Sequence, residues 1–315
     1  MDKNMLEQDM TSQYDDEIDL RELFAVLWAG RIKIVAITAI FAIVSVIYAL
    51  SVPNQYKATA LLSSADSSGG GLSGALGQLG GLASLAGVSL GGGGSSDGQI
   101  AQEIMQSWSF IEGFIEENNL AVGVYAADGW DKSSNELQIN SGLYDVSSSQ
   151  WLVESDHTGE LGLPSSWQLF QAFSKLLSVS EDKKSGLVSV SIEYYSPIIA
   201  KQWLDLYVAA INEHMQKREM AKVTRNIEYL QAQIKKTNIA EMQEVFYAII
   251  EEQIKSKMLA EASPEFAFVA VSPSMVPEKK SQPKRALICI LGTLLGGMLS
   301  VLLVLVMDYG RKSGT

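Results

Sequence analysis

Two glycine-rich motifs have the residue types and spacing of cofactor or catalytic sites. The stretch GGGLSG, Gly69 to Gly74, has the G-x-G-x-x-G spacing with which a strand-to-helix turn holds a dinucleotide pyrophosphate. The stretch GVSLG, Gly87 to Gly91, has the G-x-S-x-G spacing of a hydrolase nucleophile turn. Both lie in one low-complexity tract at 69–98, and no helix with a suitably placed acidic residue completes a dinucleotide unit. We therefore expect a Gly-rich loop at 69–98 and neither of these chemistries.

Histidine is the other side chain whose chemistry the sequence could use. His157 and His214 are the two histidines, and neither has a cysteine or carboxylate at metal-ligand spacing. No Walker lysine motif occurs. We predict no catalytic, cofactor-binding or metal-binding residues, and an enzyme is the least favoured class. Five tryptophans could stack on sugars, although packing in a core or between subunits is the favoured role: Trp108, Trp130, Trp151, Trp167 and Trp203.

Composition limits the partners and the elements that position these residues. The 315 residues carry a net charge of −12, which argues against nucleic acid because a phosphate-binding surface needs a basic face. Only one cysteine is present, Cys289, and it lies in an apolar run, so no disulfide framework is predicted. The length suits one medium-sized domain with membrane anchors.

Two apolar segments, 32–50 and 286–307, are long enough to cross a ~30 Å hydrocarbon core as helices. The alternative for each is a buried helix of a globular core. The first could also be a cleaved signal peptide, because Ala49-Leu50-Ser51 resembles a cleavage site. Its long apolar core and the acidic segment before it disfavour cleavage. We therefore predict two transmembrane helices.

Charges near the first span predict the topology. Arg21, Arg31 and Lys33 lie before it and only Lys57 follows soon after, so we expect residues 1–31 in the cytoplasm. Residues 51–285 would then be periplasmic and residues 308–315 a cytoplasmic tail, as expected for a bacterial inner-membrane protein with two spans. Four cations face the opposite way in this arrangement: Lys279, Lys280, Lys284 and Arg285. Because long loops translocate largely regardless of charge, the first span decides.

Small residues in both spans predict close helix packing. Gly292 and Gly296 form a G-x-x-x-G motif, followed by Gly297, which lets helix backbones approach closely in lipid. The first span offers a broad arc of small residues, Ala36, Ala39, Ala42, Ser45 and Ala49. The two spans could pack on each other or on a neighbouring subunit, and glycines without a partner remain the alternative.

Between the spans the pattern is mixed, which predicts an α+β domain. We expect a strand after Pro53, one helix over 99–117, irregular structure over 120–160 and a helix after Pro164. Two strands then flank an Asp/Lys/Ser/Gly turn at 182–186, and a last strand is predicted over 265–271. The proline-rich segment 273–283 is a stiff, non-helical tether to the second span.

A long helical hairpin is predicted over 197–262. Ile199, Trp203, Leu206 and Ala210 have coiled-coil spacing on its first arm. Asn238 is predicted as the N-cap of the second arm. Two apolar seams follow, Met220, Val223, Ile227, Leu230 and Ile234 on the first arm and Met242, Phe246, Ile250, Ile254 and Met258 on the second. Because the first arm is longer, part of it needs another partner, either the middle helices or a neighbouring subunit. The seam from Met220 to Ile234 is the candidate oligomer interface.

Four segments in this order resemble the Wzz-type polysaccharide co-polymerases, the chain-length determinant family. They are IDLRELFAVLW before the first span, YKATALL after it, SGLVSVSIEYYSPIIAKQW, and VPEKKSQPKRALICILG at the second span. The resemblance covers most of the chain and is vaguest in the Gly tract and at 120–160. It implies a periplasmic α/β base domain, long helices and homo-oligomeric assembly in the inner membrane.

The same resemblance implies a function. Such proteins act with a Wzy-type polymerase to set the length of an O-antigen-type polymer on a lipid carrier. The family's Pro/Gly-rich segment falls here on Pro273, Pro277, Pro283, Gly292, Gly296 and Gly297, and is expected to face the membrane or the polymerase. Three alternatives stay open. They are a capsule or exopolysaccharide co-polymerase or export protein working with a separate tyrosine kinase or transporter, a membrane-anchored periplasmic sensor, and a pump adaptor.

Overall fold

The structure, a computed structural model, describes residues 20–65, 94–155 and 161–313. Most of the predicted Gly-rich loop, with both glycine motifs, and His157 lie outside these residues. The described chain divides into two compact units, one made of the terminal segments up to Pro53 and from Gln282, the other of Asn54–Ser281. The terminal unit contains two long helices, α1 (Leu20–Ser51) and α8 (Arg285–Ser313).

The central unit mixes helices and strands, which confirms the predicted α+β class. Its helices are α2 (Gly94–Met105), α3 (Trp108–Glu117), α4 (Ala121–Tyr125), α5 (Ser166–Leu176), α6 (Pro197–Lys236) and α7 (Ala240–Ala262). Its strands are β1 (Tyr56–Ser64), β2 (Ala127–Asp131), β3 (Glu136–Ile139), β4 (Tyr144–Asp145), β5 (Gln150–Trp151), β6 (Leu177–Asp182), β7 (Leu187–Tyr194) and β8 (Phe268–Ser272).

The core lies on an antiparallel sheet of order β6-β7-β1-β8. Alternate residues of the two central strands point into it, and these are the apolar ones: Ala58, Ala60 and Leu62 on β1, and Val188, Val190, Ile192 and Tyr194 on β7. Each large apolar side chain buried here stabilises the fold by about 2 kcal/mol. The alternation of the sequence therefore fixes which face of the sheet the helices cover.

The first half of α6 packs on this sheet. Ser196 is the N-cap, its Oγ accepting from Ile199 N at 3.4 Å, and Pro197 occupies the first turn, where it needs no donor. The buried stripe of α6 is Ala200, Trp203, Leu204, Tyr207, Ile211 and Met215. The prediction that Leu206 belongs to the apolar seam is wrong, because Leu206 is exposed and Tyr207 is fully buried. This stripe has the 3.6-residue period of a helix against a sheet, and so the sheet is the partner that the longer arm required.

A buried asparagine joins α6 to the edge strand β8. Asn212 Nδ2 donates to Phe268 O at 3.0 Å, and its Oδ1 accepts from Ala267 N at 2.9 Å and from Phe268 N at 2.8 Å. One amide therefore satisfies three backbone groups where β8 begins. Leaving such groups unpaired in a core costs about 1–3 kcal/mol each, so Asn212 fixes the position of β8.

Residues 94–155 are more ordered than predicted. The expected single helix over 99–117 is wrong, because Ser107 ends α2 and begins α3. Its Oγ donates to Ile104 O at 2.7 Å and accepts from Phe110 N at 3.4 Å. The irregular structure expected at 120–160 is also wrong for its described part, which holds α4 and the hairpins β2–β3 and β4–β5. These strands are too short for a periodic signal to stand out.

Three hairpins close through the same kind of aspartate turn. In each, an Asp carboxylate accepts from the backbone N–H two residues later, at 2.7 Å for Asp131, 2.9 Å for Asp145 and 2.9 Å for Asp182. A residue with positive φ follows at the fifth position: Asn135, Ser149 or Gly186. Hydrogen bonds from the turn favour the charged carboxylate, so the pKa of each of the three aspartates is lowered.

The second arm of the hairpin, α7, departs from its predicted pattern. Phe246 and Ile250 face inward, but Met242, Ile254 and Met258 are exposed. A strict four-residue spacing advances about 40° per step on a helix with 3.6 residues per turn, so it cannot stay on one face. The predicted Asn238 cap is also wrong. Ile239 is the N-cap, and the turn is held by Gln243 Nε2, which donates to Thr237 O at 2.7 Å.

Candidate functional site

The predicted glycines of α8 lie against α1. A Cβ built on Gly292 would lie 1.8 Å from Oγ and 2.7 Å from Cβ of Ser45, and one on Gly296 would lie 2.4 Å from Cβ of Phe41. Gly297 has room, since the nearest atom, Thr38 Oγ1, is 4.0 Å away. The two apolar helices therefore pack on each other within one chain, and both glycines of the G-x-x-x-G pair lie in a close contact between them.

Polar groups support this helix pair. Thr38 Oγ1 and Ser300 Oγ lie 3.4 Å apart, and Ser300 is fully buried. At the other end of the pair, Arg285 Nε donates to Ala49 O at 3.0 Å, which satisfies a carbonyl in the last turn of α1. In an apolar medium water cannot satisfy these polar groups, so the hydrogen bonds within the protein do so. Arg285 of the predicted basic cluster thus caps a helix.

The small-residue arc of α1 is only partly used. Ala49 is buried, and Ala42 and Ser45 are half-buried on the side that meets α8. Ala36 and Ala39 are exposed. The contact face instead follows a three- and four-residue spacing that includes Thr38 and Phe41. The sequence did not indicate Phe41, because it is a large residue, and Thr38 lay outside the predicted arc.

The proline tether is tied to the central unit by serines. Ser274 Oγ donates to Asp205 of α6, and Ser281 donates to Glu193 of β7 and, through its N–H, to Gln55 O at 2.8 Å. Pro273 is exposed, Pro277 half-buried and Pro283 buried. Hydrogen bonds near both ends of the tether therefore fix it to secondary structure.

The predicted oligomer-interface seam faces inward along the hairpin. Val223 is buried, and the other four residues are half-buried: Met220, Ile227, Leu230 and Ile234. Facing them, α7 offers a partly polar surface. Gln253 Oε1 accepts from Asn226 Nδ2 at 3.4 Å, and at the base Gln216 Nε2 donates to Ala260 O at 2.8 Å. Seven large apolar side chains of α7 are exposed: Met242, Val245, Tyr247, Ile249, Ile254, Met258 and Leu259. We call these seven residues the outer face of α7.

His214 borders a small cleft between α3 and α6. Its ring lies 5.4 Å from that of Phe110, edge to face, and Glu117 and Lys217 complete the rim of a cleft of about 180 Å³. Partial burial lowers the pKa of His214, and the positive charges of Arg218 and Lys217 lower it further against the opposing effect of Glu117. The described residues contain no group of three His, Cys, Asp or Glu side chains placed to hold a metal ion.

The tryptophans divide into core and surface residues. Trp203 is buried against Tyr194, with ring centroids 4.4 Å apart, and the small Gly123 makes room for it. Trp108 and Trp167 are 48% and 57% exposed. They are linked, because Trp108 Nε1 donates to Ser166 Oγ at 2.6 Å and Trp167 is the next residue. Both tryptophans were considered as sugar-stacking residues from the sequence, but the sequence did not indicate that Trp108 would contact the residue next to Trp167.

Comparisons with known proteins give a family match for the N-terminal third of the chain. The family model described as "Chain length determinant protein" (Wzz) matches residues 16–118, about a third of the sequence, which includes α1, β1, α2 and α3. A comparison with curated proteins gave no significant match. Among solved structures, a full-length bacterial polysaccharide co-polymerase is similar at 15% identity and a TM-score of 0.39, over 93% of this chain and 99% of that one.

A fragment of WzzB, a polysaccharide co-polymerase from Salmonella Typhimurium, is similar at 14% identity and a TM-score of 0.30. That alignment covers 73% of this chain and 100% of the fragment. The family-model match confirms, over residues 16–118, the resemblance predicted from the ordered sequence segments.

Proposed function

We propose that this chain is an oligomeric, non-enzymatic scaffold that regulates the length of a surface polysaccharide of the O-antigen type. The observation that carries the proposal is the match of the chain-length determinant family model to residues 16–118. The two apolar helices and the mixed domain with its long hairpin between them support the same function. Its partners are further copies of the chain, a Wzy-type polymerase and the lipid-linked polymer.

The bacterial inner membrane is the proposed location. Two helices are long and apolar enough to cross a bilayer, over Val26–Ser51 and Arg285–Asp308. Near the start of the first, the Arg31 guanidinium lies 4.9 Å from the centre of the Trp28 ring, an arrangement that suits the membrane–water interface. We place both termini in the cytoplasm and the central unit in the periplasm. Protease protection of residues 54–281 in intact spheroplasts would contradict this topology.

Self-association is proposed through the hairpin. The outer face of α7 exposes seven large apolar side chains, and in water such a surface is stabilised when another apolar surface covers it. The seam from Met220 to Ile234 faces α7, but four of its five residues are only half-buried, and we propose that their exposed edges extend the contact to a neighbouring copy. We further propose that Gly297, whose Cβ position is open, and the exposed Pro273 face the polymerase or the membrane.

Replacing Ile254 and Met258 together by Gln tests the hairpin contact. Both are exposed, so the monomer fold should survive while the mass of the solubilised particle, measured by light scattering, falls. Leu161→Gln, at an exposed apolar residue outside the hairpin, is the matched control and should leave the mass unchanged. A double variant with the mass of the unmodified particle would contradict the proposed interface.

Deletion and complementation test the function itself. Loss of the gene should abolish the preferred length of the polymer on a gel of lipid-linked surface polysaccharide, and the full chain should restore it. Unchanged ladders would refute regulation of an O-antigen-type polymer. A change confined to capsule or exopolysaccharide would favour the co-polymerase that works with a separate kinase or transporter.

A further inference from the structure

One face of α2 presents a row of amides. Gln99 and Gln102 lie on α2 and Gln106 directly follows its last residue, at three- and four-residue spacing over about 10 Å. With Glu103 beside them and Glu181 of β6 opposite, they line an open cleft of about 670 Å³. Gln102 Nε2 donates to Glu181 Oε2 at 3.3 Å, which joins the two walls. Side-chain amides both donate and accept, so the cleft can meet a ligand rich in hydroxyl groups.

An exposed aromatic patch begins two residues after this row. It consists of the exposed Trp108 and Trp167 and the half-buried Phe170, and we call it the aromatic patch. The Trp108 N–H donates to Ser166, which fixes the orientation of the exposed indole. The rings of Trp167 and Phe170 lie 5.2 Å apart and pack together. Two large indoles are thus held in place by neighbours while their surfaces remain open to solvent.

The combination of amides, carboxylates and exposed indoles indicates a carbohydrate. The hydroxyl groups of a sugar can hydrogen-bond to the amides and carboxylates, and its apolar C–H face can stack on an indole. A protein partner fits less well, because interface cores are depleted of charged groups and both Glu103 and Glu181 would lose water. Anionic lipid headgroups and acidic polymers would be repelled by the same carboxylates. The lining therefore suits an uncharged glycan.

We propose that the α2 cleft and the aromatic patch together bind an uncharged stretch of the polysaccharide. This inference rests on the proposed function, since it names where the regulated polymer touches the central unit. The amides bind hydroxyl groups along the chain, and Trp167 stacks on a sugar ring. The site gives a growing polymer a direct contact with the scaffold.

Calorimetric titration of the full-length protein in detergent tests the site. The probe is the surface polysaccharide of the host bacterium, released from lipid by mild acid. Trp167→Ala should weaken binding roughly three- to tenfold, the loss expected for one aromatic contact. Gln102→Ala should also weaken binding, and Trp167→Phe should lose less than Trp167→Ala. Tyr229→Ala removes a comparably exposed aromatic ring from α6 and should bind as the unmodified protein does.

Equal unfolding midpoints would show that the variants are folded. If Trp167→Ala does not fold, the affinities of Gln102→Ala and Trp167→Phe test the site. The site is overturned if the unmodified protein does not bind the polymer, or if the patch variants bind it unchanged. It is also overturned if Trp167→Ala lowers the particle mass without changing affinity, because the patch would then be a subunit contact. Failure of the unmodified gene to restore polymer length would refute the proposed function instead, whatever the affinity.

Discussion

Gly296→Ala should weaken the packing of the two apolar helices. The new Cβ would lie 2.4 Å from Cβ and 2.8 Å from Cγ of Phe41, whereas carbon atoms in contact settle at about 3.5–4.0 Å. The Phe41 Cβ belongs to the α1 framework, so the helices must move apart by about 1 Å. Over-packing of this kind costs about 1–3 kcal/mol, more than the ~1 kcal/mol that alanine gains over glycine in a helix. We expect a net loss of up to about 2 kcal/mol.

A disulfide between the helices provides the assay. Thr38→Cys and Ser300→Cys, in a Cys289→Ala background, place two thiols where the native hydroxyl oxygens are 3.4 Å apart. Cross-linking of the full-length protein is followed as sodium dodecyl sulfate is titrated into the detergent. The midpoint at which cross-linking is lost should fall for Gly296→Ala.

Gly297→Ala is the matched control, since its nearest neighbour lies 4.0 Å from the new Cβ. Its midpoint should match or exceed that of the parent, by the equivalent of up to about 1 kcal/mol, because alanine is favoured over glycine in a helix. Phe41→Ala keeps the clashing Cβ and should not rescue Gly296→Ala, whereas Phe41→Gly should. Equal midpoints for the Gly296 and Gly297 variants would refute the close approach of α1 and α8.

Three further predictions concern the central unit, each measured by urea unfolding of the full-length protein. Asn212→Ala should cost about 3 kcal/mol, because three buried backbone groups lose their partner, while Asn226→Ala at the exposed hairpin should cost under about 0.5 kcal/mol. Gly113→Ala should raise stability by about 0.5–1 kcal/mol, since its Cβ would meet nothing within 4 Å, and a decrease would show that the space is needed. For Asp182, hydrogen bonds from Lys184 N and Ser185 lower the pKa. Its contribution is therefore complete above the unfolded pKa of about 4 and is lost as the pH falls through the folded value. The difference between Asp182→Ala and the parent should shrink on acidification, and a constant difference would contradict the role of the charge.

Long, strongly periodic elements could be predicted from the sequence. The two apolar helices, the strands of the main sheet and the α6 bounds depend on local signals such as Ser196-Pro197, which cap and start a helix wherever it packs. The phase of α6 could not be predicted in the same way. Leu206 and Tyr207 are both apolar neighbours, and only the position of the sheet decides that Tyr207 is buried.

The sequence predicted which residue types would form the candidate sites, but it did not predict which residues lie next to one another in the fold. The glycines of α8 indicated a close helix contact, but Phe41, the residue that meets Gly296, carries no small-residue signal. Trp108 and Trp167 are 59 positions apart, and their link through Ser166 depends on how α3 and α5 pack. A buried asparagine such as Asn212 also looks like a surface residue in sequence, because its partners are backbone groups far along the chain.

The hairpin combines two segments of unequal stability. Up to Met215, α6 is fixed by an apolar stripe in the core, and Tyr207 Oη donates to Met105 O, where burial raises the pKa of Tyr207 and keeps its hydroxyl neutral. Beyond Gln216 the helix packs along α7, and the facing side of α7 includes Gln243 and Gln253. Helices of this length gain most of their stability from packing of an apolar face. Because α7 exposes seven large apolar side chains, the proposed association with another copy would also order the outer hairpin, and weakening one should weaken the other.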